Sequence, residues 1–173
     1  MKKYRKKAEE ICQEGNNCCQ SVLLTLCEQF GVDRDTAMRF GAVFGSGIGL
    51  SAETCGAVTG SMMLIGLATG IFTQEELGEN TKEIFRDGRR FEIHERPDAY
   101  DMAQEFHRRF RQRFDGKFKC KDLLGADVGT AEGHPYVLDH DLFAIKCRQF
   151  IVEGADIISD ILHENGLLPQ QPK

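Results

Sequence analysis

Apolar residues along this chain recur at helical spacing, and strand-like alternation does not. Behind Gly15, Asn16 and Asn17 offer an N-cap; Cys18, Val22, Leu23, Leu26, Cys27 and Phe30 then fall on one broad face before Gly31 stops the helix. Asp33 caps a second helix, which carries Ala37, Met38, Phe40 and Val43 toward a run with glycine at 41, 45, 47 and 49. A central helix begins at Ser51 or Thr54 and runs through Val58, Met62, Ile65 and Leu67 to Gly70. Thr73-x-x-Glu76 then predicts a capping box for a charged helix reaching Phe91. Pro97 suits the first turn of the next helix, on which Tyr100, Ala103, Phe106, Phe110 and Phe114 make an apolar stripe before Gly116. A short helical turn follows at 120–124, and residues 125–138 read as a loop. From Asp139 or Asp141 the last helix turns Phe143, Cys147, Phe150, Ile151, Gly154, Ile158 and Ile161 inward, until Asn165-Gly166 ends it.

These elements predict an all-α fold: a single-domain bundle of about six helices over residues 1–173. The uncharged run between Glu53 and Glu75 is long enough to span a membrane, and Gly56-x-x-x-Gly60 inside it has helix-pairing spacing. Its threonines and glutamine, and the lack of a second such run, favour a helix buried on nearly all sides of a bundle. No membrane is expected as a partner. The glycine pair is compatible with a homo-oligomer.

Composition narrows the function more than the fold. Lys and Arg number 22 against 27 Asp and Glu, a formal charge of -5, so a nucleic-acid partner is not expected. The basic stretch from Arg108 to Lys121 flanks an apolar stripe and reads as a solvated helix face. Seven cysteines cannot all pair within one chain, and no secretory signal follows the basic N-terminus. A reducing cytoplasm is the expected compartment, where cysteines serve as ligands, catalytic groups or inert core residues.

Two of these thiols fall where a thiolate is stabilised. Cys18 follows Asn17 and Cys55 follows Thr54, each at the expected first turn of a helix, where unpaired amides and the helix dipole lower a thiol's pKa. Burial in apolar surroundings acts in the opposite sense and leaves a cysteine inert.

Gly15-Asn-Asn-Cys18, Cys55-Gly-Ala-Val-Thr-Gly60, Cys120-Lys-Asp-Leu-Leu-Gly125 and Cys147-Arg-Gln-Phe150 together resemble the family of proteins assigned a redox role and named for its C_GCAxxG_C_C cysteine pattern. The resemblance extends from about residue 8 to 162. It implies a small, mostly helical protein in which Cys18, Cys55, Cys120 and Cys147 form a redox-active or metal-binding centre. Thr54 stands before the second cysteine, where the name has glycine, and Gly56 follows it. Cys12, Cys19 and Cys27 are extra to the pattern.

Four converging thiols suit two chemistries. In thiol–disulfide exchange one thiolate, here expected to be Cys55, attacks a disulfide and a second cysteine resolves the mixed disulfide, with electrons drawn from an unidentified redox partner. In the alternative, Cys18, Cys55, Cys120 and Cys147 are metal ligands in a non-enzymatic protein that holds zinc or an iron–sulfur cluster. Gly45-Ser-Gly-Ile-Gly49 lacks the spacing and preceding strand of a nucleotide loop, and is expected to turn the backbone tightly before Cys55. Gly56 and Gly60 are expected to let another helix approach closely. His134 and His140 read as loop residues, and no hydrolase pattern occurs.

Overall fold

The computed structural model describes residues 3–70, 81–86, 89–94 and 97–168. It opens with a helix not predicted above, α1 (Lys3–Gln13), whose strongly charged sequence buries Tyr4, Ala8 and Ile11 along one narrow face. α2 (Cys18–Leu26) follows the Asn17 cap and passes into a 3₁₀ turn (Cys27–Phe30), which Gly31 ends with a φ of 76°. α3 (Arg34–Gly41) starts at Asp33, whose side chain accepts from the Thr36 amide. Its apolar face is narrower than expected, since Ala37 is buried while Phe40 and Val43 are exposed.

The central helix is α4 (Gly56–Ala68), shorter than the uncharged run that contains it. Among the described residues no helix is long and apolar enough to cross a membrane. The charged helix expected over 73–91 is not what forms where it can be checked. Residues 71–80 lie outside the described residues, and β1 (Thr81–Arg86) pairs antiparallel with β2 (Arg89–His94), Arg86 opposite Arg89. The sequence held the signal: β-branched and aromatic residues on both sides of Asp87-Gly88, the dipeptide favoured in two-residue hairpins.

α5 (Pro97–Arg113) buries Met102, Phe106 and Phe110, whereas Tyr100, assigned to its apolar stripe, is exposed. Phe110 and Phe114 lie 4.7 Å apart between ring centroids, and Phe114 meets Phe150 edge-on at 5.0 Å. The basic face of α5 is neutralised by ion pairs, Arg108 and Arg109 with Glu105, Arg109 with Glu164 and Arg113 with Glu153. α6 (Cys120–Leu124) is the expected short turn. The stretch expected as a loop contains α7 (Gly133–Asp139), with Pro135 in its first turn. A π turn (Phe143–Cys147) precedes α8 (Arg148–Glu164), so the last helix is interrupted where a continuous one was expected.

Eight α-helices are thus described, against about six expected, and the fold class is helical with one small hairpin. α2 packs against α4, and α8 lies across α1, α2, α4 and α5. The contact of α2 with α4 is close because α4 presents glycine there: a Cβ on Gly60 would stand 2.6 Å from the Cys19 carbonyl oxygen.

Candidate active site

Cys18, Cys55, Cys120 and Cys147, far apart in sequence, line one cavity of about 340 Å³, and Cys12 joins them. All seven cysteines of the chain are unpaired. Cys55 and Cys120 are buried, whereas Cys12, Cys18 and Cys147 are half-buried.

Local structure explains each placement. Cys18 is the first residue of α2, held by a reciprocal cap in which the Asn17 side chain accepts from the Cys19 and Gln20 amides and Gln20 accepts from the Asn17 amide. The same Asn17 side chain donates to the Gly41 and Ala42 carbonyls at 3.0 and 3.1 Å, which anchors the end of α3. Beyond α3 the glycine-rich run does turn tightly, in an uncommon way: Ser46, Gly47, Ile48, Gly49 and Leu50 all have positive φ, from 53° to 71°. Gly47 is required there, because its Cβ would meet the Glu53 amide nitrogen at 2.6 Å.

Cys55 and Cys120 are brought side by side by an isolated antiparallel bridge between Thr54 and Lys119. The Cys55 amide donates to the Phe118 carbonyl at 2.9 Å and the Cys120 amide donates to the Glu53 carbonyl at 2.5 Å. Lys119 and Glu53 close the same bridge with an ion pair at 2.7 Å. Cys147 comes from the end of the π turn.

The thiols are electrostatically unequal. Cys18 Sγ faces the Cys55 thiol and the backbone N–H groups of Ser46 and Gly56, with its own N–H beside it. These hold its pKa down to about 7 against the opposing effect of burial. The Gly56 amide is the first of α4, so the N-termini of two helices meet at one sulfur. Cys55 moves the other way: its interaction with Cys18, burial and the neighbouring negative charge hold it well above its ordinary value. The direction of these shifts favours the thiolate at Cys18 over Cys55, the thiol expected from the sequence to attack, because the start of α4 lies against the Cys18 sulfur. Burial raises Cys120 to about 12 and pushes Cys147 up as well, with the Cys18 charge adding to both.

Gly56 belongs to this geometry as firmly as the sulfurs. A Cβ there would lie 2.3 Å from Cys18 Sγ and 2.8 Å from the Cys19 amide nitrogen. Cys12, treated as extra, is at the cavity because α1 delivers it; the signal was the helical spacing of Tyr4, Ala8 and Ile11. Cys19 and Cys27 are buried away from it, Cys19 with its Sγ 3.9 Å from Met63 Sδ. Neither His134 nor His140 lines the cavity. Among the described residues no group of three or more Cys, His, Asp or Glu side chains is arranged to hold a metal ion.

The model of the family described as "Putative redox-active protein (C_GCAxxG_C_C)" matches residues 16–161, a span that contains Cys18, Cys55, Cys120 and Cys147. The chain belongs to this family. Cys12 falls outside the matched span. No curated protein and no solved structure gives a match. Within the matched span, Gly56 and Gly60 are positions at which α4 meets α2 closely around Cys18 and Cys19.

Proposed function

We propose that this protein carries out thiol–disulfide exchange, with Cys18 as the attacking thiolate and Cys55 as the resolving thiol. The observation that carries this reading is that Cys18 and Cys55 line one cavity with the start of α4 packed against the Cys18 sulfur, whose pKa is held down to about 7. At neutral pH such a thiol is substantially ionised yet remains nucleophilic, the combination that favours attack.

In the first step Cys18 Sγ forms a bond to one sulfur of the substrate disulfide, and the other sulfur leaves as a thiolate. Once Cys18 is bonded it carries no charge, so the main influence that keeps Cys55 protonated is removed. Cys55 then gives its proton to the departing thiolate and attacks Cys18 Sγ. The second half of the substrate leaves, and a Cys18–Cys55 disulfide remains. Two electrons have passed to the substrate, and an external dithiol reductant restores the pair. Cys120 and Cys147, whose pKa values are raised and which line the same cavity, would exchange with that disulfide during its reduction. A cytoplasmic setting fits this cycle, since it keeps the resting thiols reduced.

Peptide mapping after mild oxidation tests the reading. A Cys18–Cys55 disulfide that is absent from the Cys18→Ser protein, with two thiols lost per chain, is the expected result. An unchanged thiol count, or stoichiometric zinc or iron in the purified protein, would overturn it.

A further inference from the structure

The walls of the thiol cavity restrict which disulfides can reach Cys18. Apart from the cysteines, its lining includes Leu123, Leu124, Phe143, Phe150 and Ile151, and among the described residues no Asp, Glu, Lys, Arg or His side chain lines it. Its polar lining residues are already engaged. Asn16 Nδ2 donates to the Ile11 carbonyl at 2.9 Å, Asn17 caps α2 and α3, and Ser46 directs its amide to Cys18. The neighbouring cations are engaged too: Lys146 Nζ donates to the Leu124 carbonyl, Lys119 pairs with Glu53, and Arg148 pairs with Glu9. At about 340 Å³ the space is near the lower end of small-molecule sites.

We propose that this cavity selects small, uncharged, apolar disulfides and discriminates against disulfides that carry carboxylates or ammonium groups. The inference rests on the exchange reading of the same site and adds its substrate class. A charged group entering here leaves its hydration shell; a carboxylate meets no cation on the walls, and an ammonium group meets only the single Cys18 thiolate, which does not replace the water it loses. A carboxylate is opposed twice, because the Cys18 thiolate repels it as well. An aryl or alkyl disulfide loses little hydration and gains contact with leucine and phenylalanine. The reaction is the one already described: the Cys18–substrate bond forms, the substrate S–S bond breaks, and the leaving thiolate takes the Cys55 proton.

Three disulfide probes of different charge test this. They are neutral 4,4′-dithiodipyridine, dianionic 5,5′-dithiobis(2-nitrobenzoate) and dicationic cystamine. The Cys18 rate is taken as the component lost in Cys18→Ser, and each rate is divided by that of free 2-mercaptoethanol thiolate with the same probe. The expected result is a normalised preference for the neutral probe of roughly 10- to 100-fold over both charged ones. Ala144→Lys, an exposed position at the cavity, is expected to narrow the gap between the neutral and dianionic probes. Equal normalised rates for all three would overturn the substrate inference and leave exchange at Cys18 standing. Cystamine reacting fastest would also overturn it, since selection would then follow the thiolate charge alone. No Cys18 reaction with any probe at pH 8 would overturn the exchange reading as well.

Discussion

Cys18 and Cys55 shift each other in opposite directions, so one of these two sulfurs is made acidic at the expense of the other. The sign of the effect gives a direct prediction. Alkylation of Cys18 requires the thiolate and should rise through a midpoint near pH 7. In Cys55→Ala, which removes this interaction, the midpoint should move up toward the ordinary thiol value and the rate at pH 6.5 should fall several-fold. Mass-resolved iodoacetamide labelling across pH 5–9 reads both.

Gly56→Ala tests the same sulfur from the backbone side. The added methyl collides with Cys18 Sγ and the Cys19 amide, so α2 and α4 must part. The variant should lose about 2–3 kcal/mol of stability together with the low-pH labelling of Cys18. Gly60→Ala, one turn further along α4, should lose comparable stability by denaturant unfolding while leaving the Cys18 midpoint in place.

The left-handed run stores strain that a substitution can release. Ile48 is β-branched, has a φ of 68° and is 40% exposed. Asparagine tolerates this conformation far better, so Ile48→Asn should raise stability by about 1 kcal/mol. A thermal or denaturant midpoint that fails to rise would show that the isoleucine contacts outweigh its backbone strain.

Proton linkage predicts a pH window for stability. Because the folded-state pKa of Cys18 is held down to about 7, below the ordinary thiol value of 9.0, the unfolded chain holds a proton between these values that the folded chain has released. The contribution of Cys18 is therefore absent below pH 7 and grows up to pH 9, to a size on the order of 1–2 kcal/mol. Above pH 9 the raised Cys55 pKa acts in the opposite sense. The difference in unfolding free energy between the wild-type and Cys18→Ser proteins, followed from pH 6 to 9, isolates this effect.

The bundle was legible in two ways: α5 buries a stripe that repeats every four residues at Met102, Phe106 and Phe110, and α2, α4 and α8 carry apolar runs that are buried on most sides. Where helical periodicity misled, local chemistry had a competing signal. α1 is more than half charged and hides its short apolar face among lysines, and Asp87-Gly88 signalled the strand pair against a competing capping-box pattern upstream. Asn17 was legible as a cap, yet its second task at the end of α3 depends on tertiary packing that no local pattern encodes. Cys18 and Cys55 both sat at helix starts in the sequence. Which of them takes the charge depends on where the Ser46 and Gly56 amides point, and that direction is created by the left-handed run between them.

The small bridge joining Thr54 to Lys119 works as a clasp across the long excursion that contains the hairpin and α5. Sliding it by one residue would exchange Cys55 for Thr54 on the inner side, so its register carries the spacing of two sulfurs. Closing a longer excursion adds little entropy cost, since that cost grows only with the logarithm of length. Relatives can therefore lengthen or shorten the segment around the hairpin freely, provided the clasp keeps its register and the thiols at its edge keep their neighbours.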